Sequence, residues 1–295
     1  MLATFLSRSG TALRLGARSA GTAGTAGTFA HRVDAYDCVE VQEDLGGLSP
    51  AAFGSRLSES LAAWAAQGRQ GAWVKIKTAH APLVPEAIAQ GLLPHHASPD
   101  AMTFSAWLGE GEESKLPPAA SHFVGVAGFV LNSRRELLVI REASGPAAAK
   151  GLWKLPGGLV GAGEDYSAAV VREVLEETGL PTRYCRTACL VESHHSMGPS
   201  RDGASDVYTI CALVAEDEAA PLTPQASEIA DCKWMCVDEV LRLKFYEQGV
   251  FGEAMRVALG VAEGRLAGMG ARRVPLAFRE GEAALTFAAE PLASS

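Results

Sequence analysis

The chain has 295 residues, 48% hydrophobic and 20% charged, the balance of a globular protein built as one large or two modest domains. Its 26 basic and 34 acidic residues give a net charge of −8, which lacks the positive field that non-specific nucleic-acid binding needs, so no nucleic-acid partner is expected. No long apolar run is free of charges and turn signals, so no membrane span is expected either.

The first segment stands apart. Arg8, Arg14, Arg18 and Arg32 punctuate a stretch rich in Ala, Ser, Thr and Gly, with no Lys and no acid before Asp34. With Leu2, Phe5, Leu6, Leu13 and Leu15 interspersed, residues 1–33 have the pattern of an organellar transit peptide. That predicts a mitochondrial protein. A plastid leader has the same composition, and a tail with chance bias would leave the protein in the cytoplasm.

Residues 34–118 read as a small α/β domain. A helix is expected over 48–68, with Ser49 as N-cap, Pro50 at its first position, Gly68 as terminator, and Phe53, Leu57, Leu61 and Trp64 on one face. Gly71–Lys77 alternates as a half-buried strand does. A short helix from Val84 to Gln90 stops at Gly91, and a strand follows near Met102–Leu108. Residues 109–120, polar with two prolines, read as a linker.

The second domain is expected over 119–262. Phe123–Leu131 reads as a strand, Asn132–Arg135 as a turn and Leu137–Ile140 as the returning strand. Residues 143–151 read as a loop. Tyr184–Glu192, Val207–Ala215 and Lys233–Cys236 read as strands, and 250–262 as a helix. Residues 263–295 form a weakly patterned tail, with one strand expected near Ala284–Phe287. The Cys185/Cys189 and Cys232/Cys236 pairs have a spacing that zinc sites use, but their apolar surroundings favour buried free thiols.

The chemistry concentrates between Gly157 and Leu180. Glycines open the segment, where backbone can turn tightly and approach a ligand. Ser167–Thr178 reads as a helix, capped by Asp165 or Ser167 and ended by Gly179, with Ala168, Val171 and Leu175 as its packing stripe. At about 100° per residue, Glu173, Glu176 and Glu177 share one sector of that helix. Like charges at this spacing destabilise a helix unless something neutralises them, and divalent cations take carboxylate oxygens. Glu164 and Arg172 complete the cluster.

Gly158, Glu164, Arg172, Glu173, Val174, Glu176, Glu177, Gly179 and Leu180 fall on every fixed position of the Nudix box, and the chain resembles that hydrolase family. Trp153-Lys-Leu-Pro-Gly-Gly158 is similar to the strand that enters the box, and Glu228 followed by Trp234 to a later segment of the fold. Trp73-Val-Lys-Ile, Gly91 with His95-His96, and Trp107-Leu resemble the pre-Nudix domain of eukaryotic members. The resemblance implies an α/β (α+β) architecture: a Nudix α/β/α sandwich with a mixed sheet, preceded by a small α/β pre-Nudix domain. It also implies Mg²⁺, with Mn²⁺ as a substitute, held by Glu173, Glu176, Glu177 and Glu164, while Arg172 orients the glutamates. Glu173 and Glu228 are the two candidates for the general base. Lys154, Leu155, Pro156, Gly157 and Gly158 are expected to shape the substrate site.

The implied reaction is cleavage of the pyrophosphate in a nucleoside diphosphate linked to another moiety, with ADP-ribose or NADH expected first and coenzyme A derivatives left open. A Nudix-fold protein that binds or senses nucleotides with little turnover is the alternative, and a homodimer is left open. Arg141 and Lys150 are candidate phosphate partners and His194 and His195 candidate substrate contacts, but each reads first as a solvated polar group.

Overall fold

The computed structural model describes residues 27–111, 113–194, 204–275 and 283–289, so most of the expected leader and His195 lie outside the described residues. The chain divides between Ala120 and Ser121 into two units, each with its own sheet and core.

In the first unit, β1 (His31–Val33) and β2 (Cys38–Val41) precede α1 (Pro50–Ala66). Then come β3 (Gly71–Lys77), a 3-10 turn (Thr78–Leu83), α2 (Val84–Ala89), β4 (Leu93–Ser98) and β5 (Ala101–Trp107). The sheet order is β1-β2-β3-β5-β4. Only β2 and β3 run parallel, because α1 carries the chain back across the sheet between them. The α1 start follows the expected chemistry: Ser49 Oγ accepts from the Ala52 amide at 3.2 Å, and Pro50 opens the first turn. Phe53, Leu57 and Trp64 are fully buried against Val74, Ile76 and Phe104. Each such side chain removed from water contributes about 1.5–3 kcal/mol.

Three strands escaped the sequence reading. β1 and β2 are too short to show alternation. β4 is an edge strand whose residues are mostly exposed, so it carries no apolar face. The sheet also begins before the expected leader boundary at residue 33: Phe29 is fully buried in this core and donates its amide to Ser60 Oγ at 3.0 Å.

The second unit runs β6 (His122–Val130), β7 (Glu136–Glu142), α3 (Gly145–Ala149), α4 (Tyr166–Thr178), β8 (Thr182–His194), β9 (Ser205–Ala215) and β10 (Ile229–Cys236). It continues through α5 (Val237–Leu241), α6 (Lys244–Glu247), α7 (Gly249–Ala262), β11 (Met269–Pro275) and β12 (Ala283–Ala289). The main sheet is mixed, in the order β12-β11-β8-β9-β6, with β6 and β9 parallel. Val126 and Val130 of β6 pack with Val170 and Val174 of α4 on one face. Ala127 and Phe129 pack with Met255 and Ala258 of α7 on the other. Burial on both faces explains why β6 reads as a continuous apolar run.

Several expectations need correction here. β7 does not return alongside β6. It pairs with β10 in a separate two-stranded sheet and meets the end of β6 at the Leu131–Leu137 bridge. The reason is backbone competition: the segment 153–160 runs between the two strands. Val126 and Gly128 amides donate to Gly158 and Pro156 carbonyls at 2.9 and 2.8 Å, while Ile140 donates to Lys154 at 2.8 Å.

The packing stripe of α4 is displaced by one residue from the one expected. Ala169, Val170 and Val174 are buried, Ala168 is exposed, and Leu175 is 46% exposed. The expected loop at 143–151 contains α3. The expected tail supplies a hairpin, β11–β12, joined to the main sheet where Met269 pairs with Thr187. Phe287 stacks on Tyr166 with ring centroids 4.2 Å apart, and Arg273 pairs with Asp165. All six cysteines are free thiols. Among the described residues, no helix is long and apolar enough to cross a membrane.

Candidate active site

The inserted segment and α4 meet at a cleft of about 650 Å³. Two glycines make the meeting close. Gly157 sits at φ +155°, where an added Cβ would lie 2.1 Å from the Val126 carbonyl oxygen. A Cβ on Gly158 would lie 2.6 Å from the Glu173 carboxylate. Gly157 has no room for a side chain against the backbone of β6, and one at Gly158 would displace the Glu173 carboxylate, so the loop backbone lies close to both β6 and the helix.

The one-residue rotation of α4 decides what its glutamates do. Glu177 turns inward, only 6% exposed, and its Oε2 accepts the Gly157 amide at 2.7 Å. Burial pushes its carboxyl up to about 7. The Gly157 amide and Lys154 oppose that rise, while the like charges of Glu173 and Glu142 add to it. Glu173 also faces the cleft. Glu176 does not line it and stands on the exposed side of the helix.

Arg172 binds three of the carboxylates. Its Nε and Nη2 donate to the two oxygens of Glu164 at 2.8 and 2.9 Å, and its Nη1 donates to Glu173 at 2.8 Å and to Glu176 at 3.0 Å. The Arg172 fork, helped by the Gly161 amide, holds the Glu164 carboxyl down to about 2. Two of the three acids expected to repel one another, Glu173 and Glu176, are therefore paired by a residue of their own helix, and Glu177 is not.

Of the residues expected to shape the substrate site, Lys154, Gly157 and Gly158 line the cleft, whereas Leu155 and Pro156 are buried beside it. Lys154 pairs with Glu142. Glu228 reaches the cleft because its carbonyl accepts the Ala143 amide at 2.8 Å, which seats it beside the end of β7. Arg141 and Lys150 lie elsewhere: Arg141 covers the Trp153 ring at 5.3 Å. His194 bonds Ser205 Oγ at 2.8 Å on the surface.

Three ionisable lining residues were missed by the sequence reading: Glu142, Asp206 and Tyr208. None belongs to the box. The register of β6 and β9 pairs Tyr208 with Gly125, whose missing side chain leaves the cleft floor open above the ring. A strand ending in Glu142 was visible in the sequence. Its pairing with Ile229, which brings it to Glu228, was not.

The expected metal set does not converge as four ligands. Among the described residues, no three Asp, Glu, His or Cys side chains are grouped closely enough to hold an ion. Arg172 engages Glu164, Glu173 and Glu176, and of these only Glu173 lines the cleft. The donor chemistry of the cleft nevertheless fits a hard divalent cation. Its ionisable lining is carboxylate oxygen apart from Lys154, Arg172 and the Tyr208 hydroxyl, and Glu177 is a buried acid crowded by like charge. Glu173 and Glu177 are the box residues placed to hold such an ion.

A mixed sheet between helices, with a glycine loop and a carboxylate-bearing helix meeting at one end, defines the Nudix class of fold. The NUDIX domain family matches residues 121–250, and the Nudix hydrolase domain family matches residues 29–108. Nudix hydrolase 8 of Arabidopsis thaliana is 35% identical over 79% of this chain and 62% of its own length. Nudix hydrolase 2 of the same plant is 33% identical over 70% of this chain and 75% of its own. Nucleoside diphosphate-linked moiety X motif 6 of Mus musculus is 35% identical over 75% of this chain and 68% of its own. The chain belongs to the Nudix hydrolase family. It spans under two thirds of the length of the first of these relatives. Among solved structures, a UDP-X diphosphatase overlaps 51% of this chain and 67% of its own at 18% identity and a TM-score of 0.39.

Proposed function

We propose that the chain is a Mg²⁺-dependent pyrophosphohydrolase that cleaves the diphosphate of a nucleoside diphosphate linked to another moiety, with ADP-ribose or NADH as the first substrates to test. One observation carries this reading: Glu173, Glu177, Glu142 and Glu228 converge on a cleft floored by glycine backbone, with Lys154 and Arg172 as its cations. An acidic cleft repels a diphosphate unless cations intervene. A divalent ion held there would supply Lewis acidity toward the phosphoryl oxygens and would lower the pKa of water.

The chain's own groups then have distinct tasks. The Gly157 amide fixes Glu177 in the cleft wall. Arg172 sets the rotamer of Glu173 by a charged hydrogen bond and withdraws Glu164 from the cleft. Lys154 lines the cleft and balances charge on a phosphate. Glu228 is free of the Arg172 network and faces the same space, so it is the better placed of the two base candidates to take a proton from water.

The test is Mg²⁺-dependent hydrolysis across ADP-ribose, NADH, NAD⁺, coenzyme A, diadenosine polyphosphates and nucleoside triphosphates, with Glu177→Gln and Glu228→Gln alongside. Turnover of one class that falls by about 100-fold or more in Glu177→Gln supports the reading, the scale expected when a principal group of a metal-assisted site is removed. Retained nucleotide binding without turnover of any compound would establish the binding-protein alternative instead.

A further inference from the structure

The helix that carries the acids does not use the cap its sequence provides. Asp165 stands at the N-cap of α4 with the extended backbone of that position, φ −71° and ψ 130°, yet its side chain makes no capping bond. Arg273 of β11 takes the carboxylate instead. Arg273 pairs across the hairpin with Leu285, two residues from Phe287, so Arg273 and Phe287 share one face. Phe287 lies on Tyr166, the first residue of α4, with the ring planes 16° from parallel. The Tyr166 hydroxyl bonds Thr187, which is fully buried in β8. Three successive residues thus have separate tethers: Glu164 to Arg172, Asp165 to Arg273, and Tyr166 to Phe287 and Thr187.

We infer that Arg273 is a positioning residue for the proposed hydrolysis: its hold on Asp165 aims Glu164 at Arg172 and so sets the orientation of Glu173 in the cleft. The inference rests on the reading that the cleft carries out that reaction. The Arg273 and Asp165 side chains are 58% and 38% exposed, so their pairing adds little to stability. Its consequence is directional. Released from Arg273, the Asp165 carboxylate would turn to the amides of the first helical turn, the bond that an N-cap aspartate ordinarily makes. That turn rotates the peptide joining Asp165 to Glu164. Glu164 receives both prongs of the Arg172 fork, a geometry that tolerates little misalignment, and the remaining arm of the fork holds Glu173. Recapping of α4 offsets the lost ion pair, so stability stays level while the acids around Arg172 are displaced.

The test compares steady-state hydrolysis, melting temperature and the NMR signal of the Arg172 Nε–H in the full-length chain. The variants are Arg273→Gln, Arg273→Lys, Asp165→Ala and the pair Arg273→Gln with Asp165→Ala. Arg273→Gln should lower kcat by about 10- to 100-fold, the scale of a small misplacement in a reacting site, with KM and melting temperature unchanged. Arg273→Lys should recover most of that loss. The paired variant should lose no more than Arg273→Gln alone, because one route carries both effects. The Arg172 Nε–H, which donates to Glu164, should shift and exchange faster in Arg273→Gln, although Arg273 is bonded to Asp165. A parent-like kcat, a fall in kcat matched by a fall in melting temperature, additive losses in the paired variant, or an unmoved Arg172 signal would overturn the assignment. The Arg172 signal also separates the two readings. With a parent that hydrolyses nothing, a moved signal keeps the tether and removes the hydrolase, whereas hydrolysis that Arg273→Gln leaves intact does the reverse.

Discussion

The amide of Gly157 donates to Oε2 of Glu177 at 2.7 Å across 20 positions of sequence, and this bond ties the glycine loop to the helix that carries the acids. Because an added Cβ at Gly157 would lie 2.1 Å from the Val126 carbonyl, Gly157→Ala cannot be accommodated without moving the loop off β6. We expect a loss of about 3 kcal/mol or more, the scale of a backbone clash in a packed region. Urea unfolding of the variant at neutral pH reads this directly, and an unchanged midpoint would refute the close approach.

Glu177 gives a pH signature. With its carboxyl raised from the usual 4.5 to about 7, the folded chain keeps a proton that the unfolded chain loses. Its effect on stability therefore favours folding on the acid side and is lost as pH rises from about 4.5 to about 7, by at most about 3 kcal/mol. Glu177→Gln keeps an acceptor for Gly157 and removes the titration. In metal-free protein, unfolding near pH 5 and near pH 8 should differ more in the parent than in the variant. Parallel pH profiles would contradict the burial argument.

Glu164 has the opposite sign. Arg172 holds its carboxyl down to about 2, so the pairing stabilises the folded chain above about pH 4.5 and fades as pH falls toward 2. Glu164→Gln should lower the melting temperature at neutral pH and converge with the parent in strong acid. Arg172→Lys, which cannot form the two-pronged contact, should behave as the glutamine variant does.

Magnesium binding can be read without activity. If Glu173 and Glu177 hold the ion, Mg²⁺ should raise the melting temperature of the parent with a dependence on its concentration. Glu173→Gln should abolish most of that rise, while Glu176→Gln, outside the cleft, should leave it largely intact. A Glu176→Gln loss equal to that of Glu173→Gln would restore the fuller ligand set expected from the sequence.

The C-terminal hairpin holds the start of the same helix. Phe287→Ala removes the stack on Tyr166 and should cost about 1 kcal/mol, the usual worth of such an aromatic pair. Hydrogen exchange across Tyr166–Thr178 should then speed up first at the helix start. Unchanged exchange there would mean that the hairpin does not clamp α4.

Much of the molecule is written in local sequence. Ser49-Pro50 starts α1 where capping chemistry says it should, and Gly179, at φ +70°, ends α4. The alternation of Gly71–Lys77 gives β3 its bounds. Short or mostly exposed strands left no such trace, because a three-residue run has no period and an edge strand has no buried face. The expected β6–β7 hairpin went wrong for a different reason: adjacent apolar strands joined by a turn ordinarily pair, and nothing local says that a later segment will occupy the edge between them.

The sequence by itself determined the family, the glycine–carboxylate segment and the helix that bears Arg172, Glu173, Glu176 and Glu177, because spacing along one helix is a local property. Tertiary structure decided which of those acids face the cleft. A rotation of the packing stripe by one residue buries Glu177 and leaves Glu176 outside. Only the pairing of β7 with β10, and of β6 with β9, brings Glu142, Glu228, Asp206 and Tyr208 to the same place. Those groups are distant along the chain, and strand register, set by burial of two sheet faces at once, is what makes them neighbours.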